Sequence, residues 1–79
     1  MSPQVISVNV LENYLLELEF SNGEKGHFSV LPYLQYPVYQ VLKNYDVFKR
    51  AKVTMGFISW DGEIDMSPDN LYLESKMIA

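Results

Sequence analysis

The chain has 79 residues, of which 48% are hydrophobic and 14% aromatic, enough for one core and no second domain. A chain this short buries only about 60–65% of its unfolded surface, and it can scarcely build the sugar-holding cleft that a pair of glycosidase carboxylates requires. Its net charge of −4 opposes non-specific binding to phosphate backbones, and the lack of cysteine excludes disulfides and thiolate metal sites, as suits a cytoplasmic protein.

The N-terminus, Met-Ser-Pro-Gln-Val-Ile-Ser-Val, lacks the basic start and long apolar stretch of a signal peptide. No apolar run approaches the roughly 20 residues of a membrane span. From Val5 to Val10 the residues alternate, placing Ile6, Val8 and Val10 on one side of a half-buried strand. Tyr14, Leu16, Leu18 and Phe20 repeat the pattern, and Gly26, Phe28 and Val30 supply a third matching face. Keeping the core on one face predicts a bulged turn at Asn22-Gly23, with Leu16 opposite Phe28 and Leu18 opposite Gly26. The same rule sets Val10 opposite Tyr14 and Val8 opposite Leu16 in the preceding hairpin.

Pro32 and Pro37 forbid one continuous helix through the middle of the chain. Pro32 suits a short 3₁₀ piece, and Pro37 suits the first position of a helix over Val38 to Lys43, with Val38, Val41 and Leu42 on one face. A second short helix is expected at Asp46 to Arg50, burying Val47 and Phe48. Met55-Gly56 reads as a bend before a strand from Phe57 to Trp60. Across Asp61-Gly62, a bulged turn pairing Ile58 with Ile64 preserves the inward face. Ser67 is a good helix N-cap, Pro68 fits the first helical position, and Asp69 complements the helix dipole. Met66 and Leu71 are spaced for a hydrophobic staple, and the helix should run to about Ser75. The expected fold is therefore a single α+β domain over residues 1–79. It has an N-terminal three-stranded antiparallel meander, short central helices, and a C-terminal hairpin and helix.

Few side chains can carry chemistry. His27 is the only histidine and alternation places it outward, near Ser29 but with nothing to orient a catalytic pair. Asp61, Glu63 and Asp65 have the spacing of a calcium loop, but Met66 stands where the turn glycine belongs and Tyr72 where the bidentate glutamate belongs. No phosphate-cradling glycine pattern is present. The sequence thus assigns no catalytic residue, metal ligand or cofactor, and the protein is not expected to be an enzyme. Lys43, Lys49, Arg50 and Lys52 form the only basic cluster. It suits a solvated face, with weak nucleic-acid binding or a regulatory accessory role as the alternative reading. The main expectation is contact with a protein partner or a second copy. The candidate surface is Trp60, Asp61, Glu63 and Asp65, with Tyr36 and Tyr39 as a second patch, because Tyr and Trp are enriched at interfaces. Tyr14, Tyr33 and Tyr72 are expected at the core or its boundary, and Tyr36, Tyr39 and Tyr45 exposed.

These residues resemble the bacterial DUF2442 family of domains of unknown function. The resemblance runs through Tyr14-Leu15-Leu16-x-Leu18-x-Phe20, Asn22-Gly23-Glu24, Phe28, Leu31-Pro32-Tyr33-Leu34, and Pro37-Val38 with Leu42, Phe48 and Val53. Its most specific stretch is Ile58-x-Trp60-x-Gly62-x-x-Asp65-x-Ser67-Pro68-x-x-Leu71-Tyr72. Ser29 and Asp61 depart from the family pattern. The resemblance implies a small stand-alone α+β domain, and for such members an antitoxin-like role as the partner-binding half of a two-protein module.

Overall fold

The computed structural model describes residues 2–61 and 64–78. Strands β1 (Val5–Leu11), β2 (Leu15–Phe20) and β3 (Lys25–Ser29) form the expected antiparallel meander. The β2–β3 register is the predicted one, with Leu16 opposite Phe28 and Leu18 opposite Gly26. Phe20 donates its N–H to the Glu24 carbonyl at 2.9 Å, and Gly23 takes the left-handed conformation with φ of 90°.

The β1–β2 register differs from expectation by two residues: Val10 faces Leu16 and Val8 faces Leu18. Tyr14 leaves the strand for the turn, where Asn13 and Tyr14 both adopt φ of 60°. From there its ring lies edge-on to Phe48 at 5.0 Å and its hydroxyl donates to the Lys43 carbonyl. A bulge between Val5 and Ser7 also corrects the predicted face at the start of β1. One extra residue reverses the alternation, so Val5 is buried while Ile6 is 55% exposed. The bulge lets Val5 donate its N–H to the Gly56 carbonyl at 2.9 Å, tying the meander to the second sheet.

The centre of the chain is two 3₁₀ segments, Leu31–Gln35 and Pro37–Lys43, each with a proline in its first turn. A 3₁₀ helix repeats every three residues, so the expected Val38, Val41, Leu42 face does not form. Tyr39 and Leu42 turn inward instead, leaving Val38 61% and Val41 48% exposed. A single α-helical turn, α1 (Tyr45–Phe48), follows, capped by Asn44, whose side chain accepts from the Asp46 N–H at 3.0 Å. It buries Phe48 completely.

Strands β4 (Lys52–Thr54), β5 (Phe57–Trp60) and β6 (Ile64–Met66) make the second sheet, in that order. Met55-Gly56, read as a bend, is the tight turn of the β4–β5 hairpin, with φ of 48° and 89° as a type I′ turn requires. In β5–β6, Trp60 pairs with Ile64 and Ile58 with Met66, rather than Ile58 with Ile64. Both registers bury the same four side chains, and the observed one keeps Trp60 inside the strand. The bulge expected at Gly62 lies outside the described residues.

Helix α2 (Pro68–Glu74) begins as predicted, with the Ser67 hydroxyl accepting from the Asn70 N–H at 3.3 Å. Met66 and Leu71 are both buried. Past α2, a two-residue strand β7 (Lys76–Met77) pairs with β3, so the meander becomes a four-stranded sheet. Gly26 permits this approach: a Cβ there would stand 3.0 Å from Ser75 Cβ and 3.1 Å from Met77 Sδ. The two sheets and the helices enclose one core that includes Leu16, Leu18, Phe20, Phe28, Phe48, Ile58, Trp60 and Leu71.

Candidate protein-interaction site

The structure divides the six tyrosines into two groups. Tyr14 and Tyr45 pack edge-on at 5.6 Å and both contact Phe48, while the Tyr45 hydroxyl donates to the Leu11 carbonyl at 2.9 Å. Tyr72 packs edge-on against Phe20 at 5.1 Å. These three hold the elements together. Their extra aromatic area is structural.

Tyr33, Tyr36 and Tyr39 form the other group. Tyr33 donates its N–H to Val30, Tyr36 to Tyr33 and Tyr39 to Tyr36, each bond reaching back three residues at 2.9–3.0 Å. This three-residue ladder brings their side chains onto one surface despite the extended backbone at Tyr36. The Tyr33 ring lies 6.2 Å from Tyr36, tilted by 54°, and 5.8 Å from Tyr39, nearly perpendicular at 86°. Together with Pro32, Gln35, Asn70 and Glu74, they line a groove of about 420 Å³ between the 3₁₀ segments and α2.

Polar contacts fix the groove. The Tyr33 hydroxyl donates to Glu74 Oε1 and accepts from Asn70 Nδ2 at 3.1 Å. Burial, and then the Glu74 hydrogen bond, hold the Tyr33 phenol above its ordinary pKa. Tyr39 donates to the Asp65 carbonyl at 3.1 Å, and burial with the nearby Asp65 charge raises its pKa as well. Tyr39 is thus half-buried, not exposed as expected, whereas Tyr36 is 51% exposed.

The first predicted patch is split by the fold. Trp60 is 2% exposed; its indole N–H donates to the Phe48 carbonyl at 2.9 Å and its ring stacks on Phe48 at 6.4 Å. Its side chain therefore supports the surface from beneath rather than forming it. Asp65 is exposed, opposite Ser59 on the outer face of the second sheet. Asp61 is exposed and pairs with Arg50 at 3.2 Å. Glu63 lies outside the described residues.

In the basic cluster, Arg50 is engaged by Asp61, and Lys49 pairs with Asp46 at 3.3 Å. His27 is half-buried on the outward face of β3, where its Nε2 meets Glu17 Oε2 at 3.3 Å. A hydrogen bond from Asn9, and then the His27 contact, hold the Glu17 carboxyl below its ordinary pKa. Among the described residues, no group of three or more His, Cys, Asp or Glu side chains converges to hold a metal ion. No helix of the described residues is long and apolar enough to cross a membrane.

Sequence reasoning placed Tyr36 and Tyr39 at this surface but missed Tyr33, Asn70 and Glu74. The available signal was the three-residue spacing of Tyr33, Tyr36 and Tyr39 between Pro32 and Pro37. The α2 contributions required the tertiary fold.

Two antiparallel sheets, short 3₁₀ segments and a tyrosine-walled groove define a small α+β domain. Its match to a known family is nearly end to end. The chain belongs to the family described as Protein of unknown function (DUF2442), which it matches over residues 5–76. No curated protein and no solved structure matches it.

Proposed function

We propose that this domain acts by binding another protein, as the antitoxin-like partner of a small two-protein module, and not as an enzyme. The supporting observation is a run of exposed apolar side chains. Tyr36 and Val38 are more than half exposed, and Val41 nearly so, within six residues of which Tyr36 and Tyr39 line the groove. Burying such side chains against a partner gains roughly 25 cal/mol per Å² of apolar area before the costs of association. Tyrosines in a desolvated centre are frequent hot spots. Asp65 lies alongside, joined through its carbonyl to Tyr39, and gives the surface a polar margin.

The test is co-expression with the product of the adjacent reading frame, followed by size-exclusion chromatography at low and high salt. A stable complex that survives high salt is expected, because an apolar interface is little screened whereas phosphate contacts weaken steeply. Val38→Asp with Val41→Asp should leave the fold intact and weaken the complex at least about tenfold, roughly 1.4 kcal/mol. A monomer that retains no partner, and binds RNA at low salt through Lys43 and Lys52, would refute the proposal.

A further inference from the structure

The groove is acidic and rich in acceptors as well as aromatic. Glu74 supplies a carboxylate, Gln35 and Asn70 supply amide oxygens, and none of the lining residues is Lys, Arg or His. We infer that this groove takes a guanidinium group, the side chain of an arginine on the partner protein. The inference rests on the protein-binding reading above and specifies the partner's chemistry.

The faces of aromatic rings carry negative potential and attract cations within about 6 Å of the centroid. Tyr33 lies 6.2 Å from Tyr36 at a tilt of 54° and 5.8 Å from Tyr39 at 86°, and one of its own faces is covered by Phe28, stacked at 5.5 Å. A planar cation in this groove would lie among the Tyr33, Tyr36 and Tyr39 rings, with the Glu74 carboxylate on the same lining. Asn70 uses its NH₂ on the Tyr33 hydroxyl, so its orientation is fixed.

Arginine suits this set better than lysine. Its planar fork presents five donors and stacks on aromatic faces, whereas an ammonium is compact and strongly hydrated. A carboxylate accepts that fork through two parallel hydrogen bonds; Glu74 Oε1 already accepts from the Tyr33 hydroxyl and has its second lone pair left for the fork. The net charge of −4 also favours approach of a basic partner.

The experiment is an NMR titration of isotope-labelled protein with N-acetyl-arginine amide, against its neutral isostere N-acetyl-citrulline amide and against N-acetyl-lysine amide. Arginine amide should shift the Tyr33, Tyr36, Tyr39 and Glu74 resonances and bind at least about fivefold more tightly than either control. Tyr36→Ala and Glu74→Gln, both at exposed positions, should each weaken it several-fold without altering distant resonances. Equal binding of citrulline would make the groove merely apolar and overturn the inference. Equal binding of lysine would overturn the guanidinium assignment, and shifts outside the groove would overturn the site. If the co-expressed complex forms but withstands Tyr36→Ala and Glu74→Gln, this inference fails while the binding role stands. If arginine binds as described but no partner complex forms, the groove stands and the module reading fails.

Discussion

Trp60 stands next to a run of carboxylates in the sequence, yet strand alternation sends its indole inward while Asp65 points out. A residue so placed is both packed and bonded, because an indole N–H buried without a partner is costly. Trp60→Phe removes the donor at 2.9 Å, while the Phe48 carbonyl keeps the Ala51 N–H at 3.2 Å, so a loss of about 0.5–1.5 kcal/mol is expected. Trp60→Ala adds a cavity beside Phe48 and should cost about 3–5 kcal/mol, a large part of the whole for a domain of this size. Urea unfolding followed by circular dichroism measures both. Since Trp60 is the only tryptophan, its native emission should also be blue-shifted and resistant to iodide quenching. Emission typical of a solvated indole would contradict its placement.

At the scale of the element, the turns decide what the strands can do. Met55 holds φ of 48° at the β4–β5 turn while its side chain is 88% exposed. It therefore carries the cost of a left-handed conformation without packing in return. Met55→Asn creates the Asn-Gly pair that type I′ turns favour, and should raise stability by about 0.5–1 kcal/mol, read as a higher urea midpoint with unchanged slope. An unchanged or lower midpoint would count against the turn assignment. The hairpins also show what was legible before the structure. Alternation told inward from outward residues over most of the strands, and at Asn22-Gly23 it chose the register outright, because the competing pairing mixed faces. At the β1–β2 and β5–β6 hairpins, registers two residues apart bury identical faces, so alternation does not separate them. The choice came from Tyr14 joining the turn to reach Phe48, and from Trp60 staying in its strand. Strands β4 and β7 are too short to display a period. The 3₁₀ piece at Pro32 matches the expectation, but over Val38 to Lys43 a period of 3.6 sets a face that a backbone repeating every three residues does not form, and it hides the alignment of Tyr33 with Tyr36 and Tyr39.

For the molecule as a whole, the titrating groups set a pH window. Tyr33 and Tyr39 are raised chiefly by burial, and Tyr72 chiefly by its hydrogen bond to Glu24. A phenol whose pKa is higher in the folded state holds its proton more tightly there than in the unfolded chain. Its contribution is therefore full below the ordinary tyrosine value of 10.0 and is lost as pH rises through the folded value. Glu17 acts in the opposite sense: its lowered pKa stabilises above the ordinary 4.5 and that contribution disappears as pH falls through the folded value. Absorbance at the phenolate band should accordingly resolve a group of tyrosines ionising later than free tyrosine, with the urea midpoint falling over the same pH range. Phe replacements of Tyr33, Tyr39 and Tyr72 together should remove the late-ionising group. If the Tyr33 and Tyr72 phenols titrate as free tyrosine does, the Glu74 and Glu24 contacts are not those of the folded protein.

The pairing of β7 with β3 has a consequence for how the protein comes into being. The meander is made of neighbours in sequence and can assemble as soon as it has left the ribosome. Its outer strand, however, keeps one row of backbone groups vacant until Lys76 and Met77 have been synthesised and carried back across the domain. During that interval the vacant row accepts any strand that fits over Gly26, including the same two residues of another copy. Exchange of tails between nascent chains is therefore the characteristic misassembly of this fold, and crowded polysomes are where it would arise.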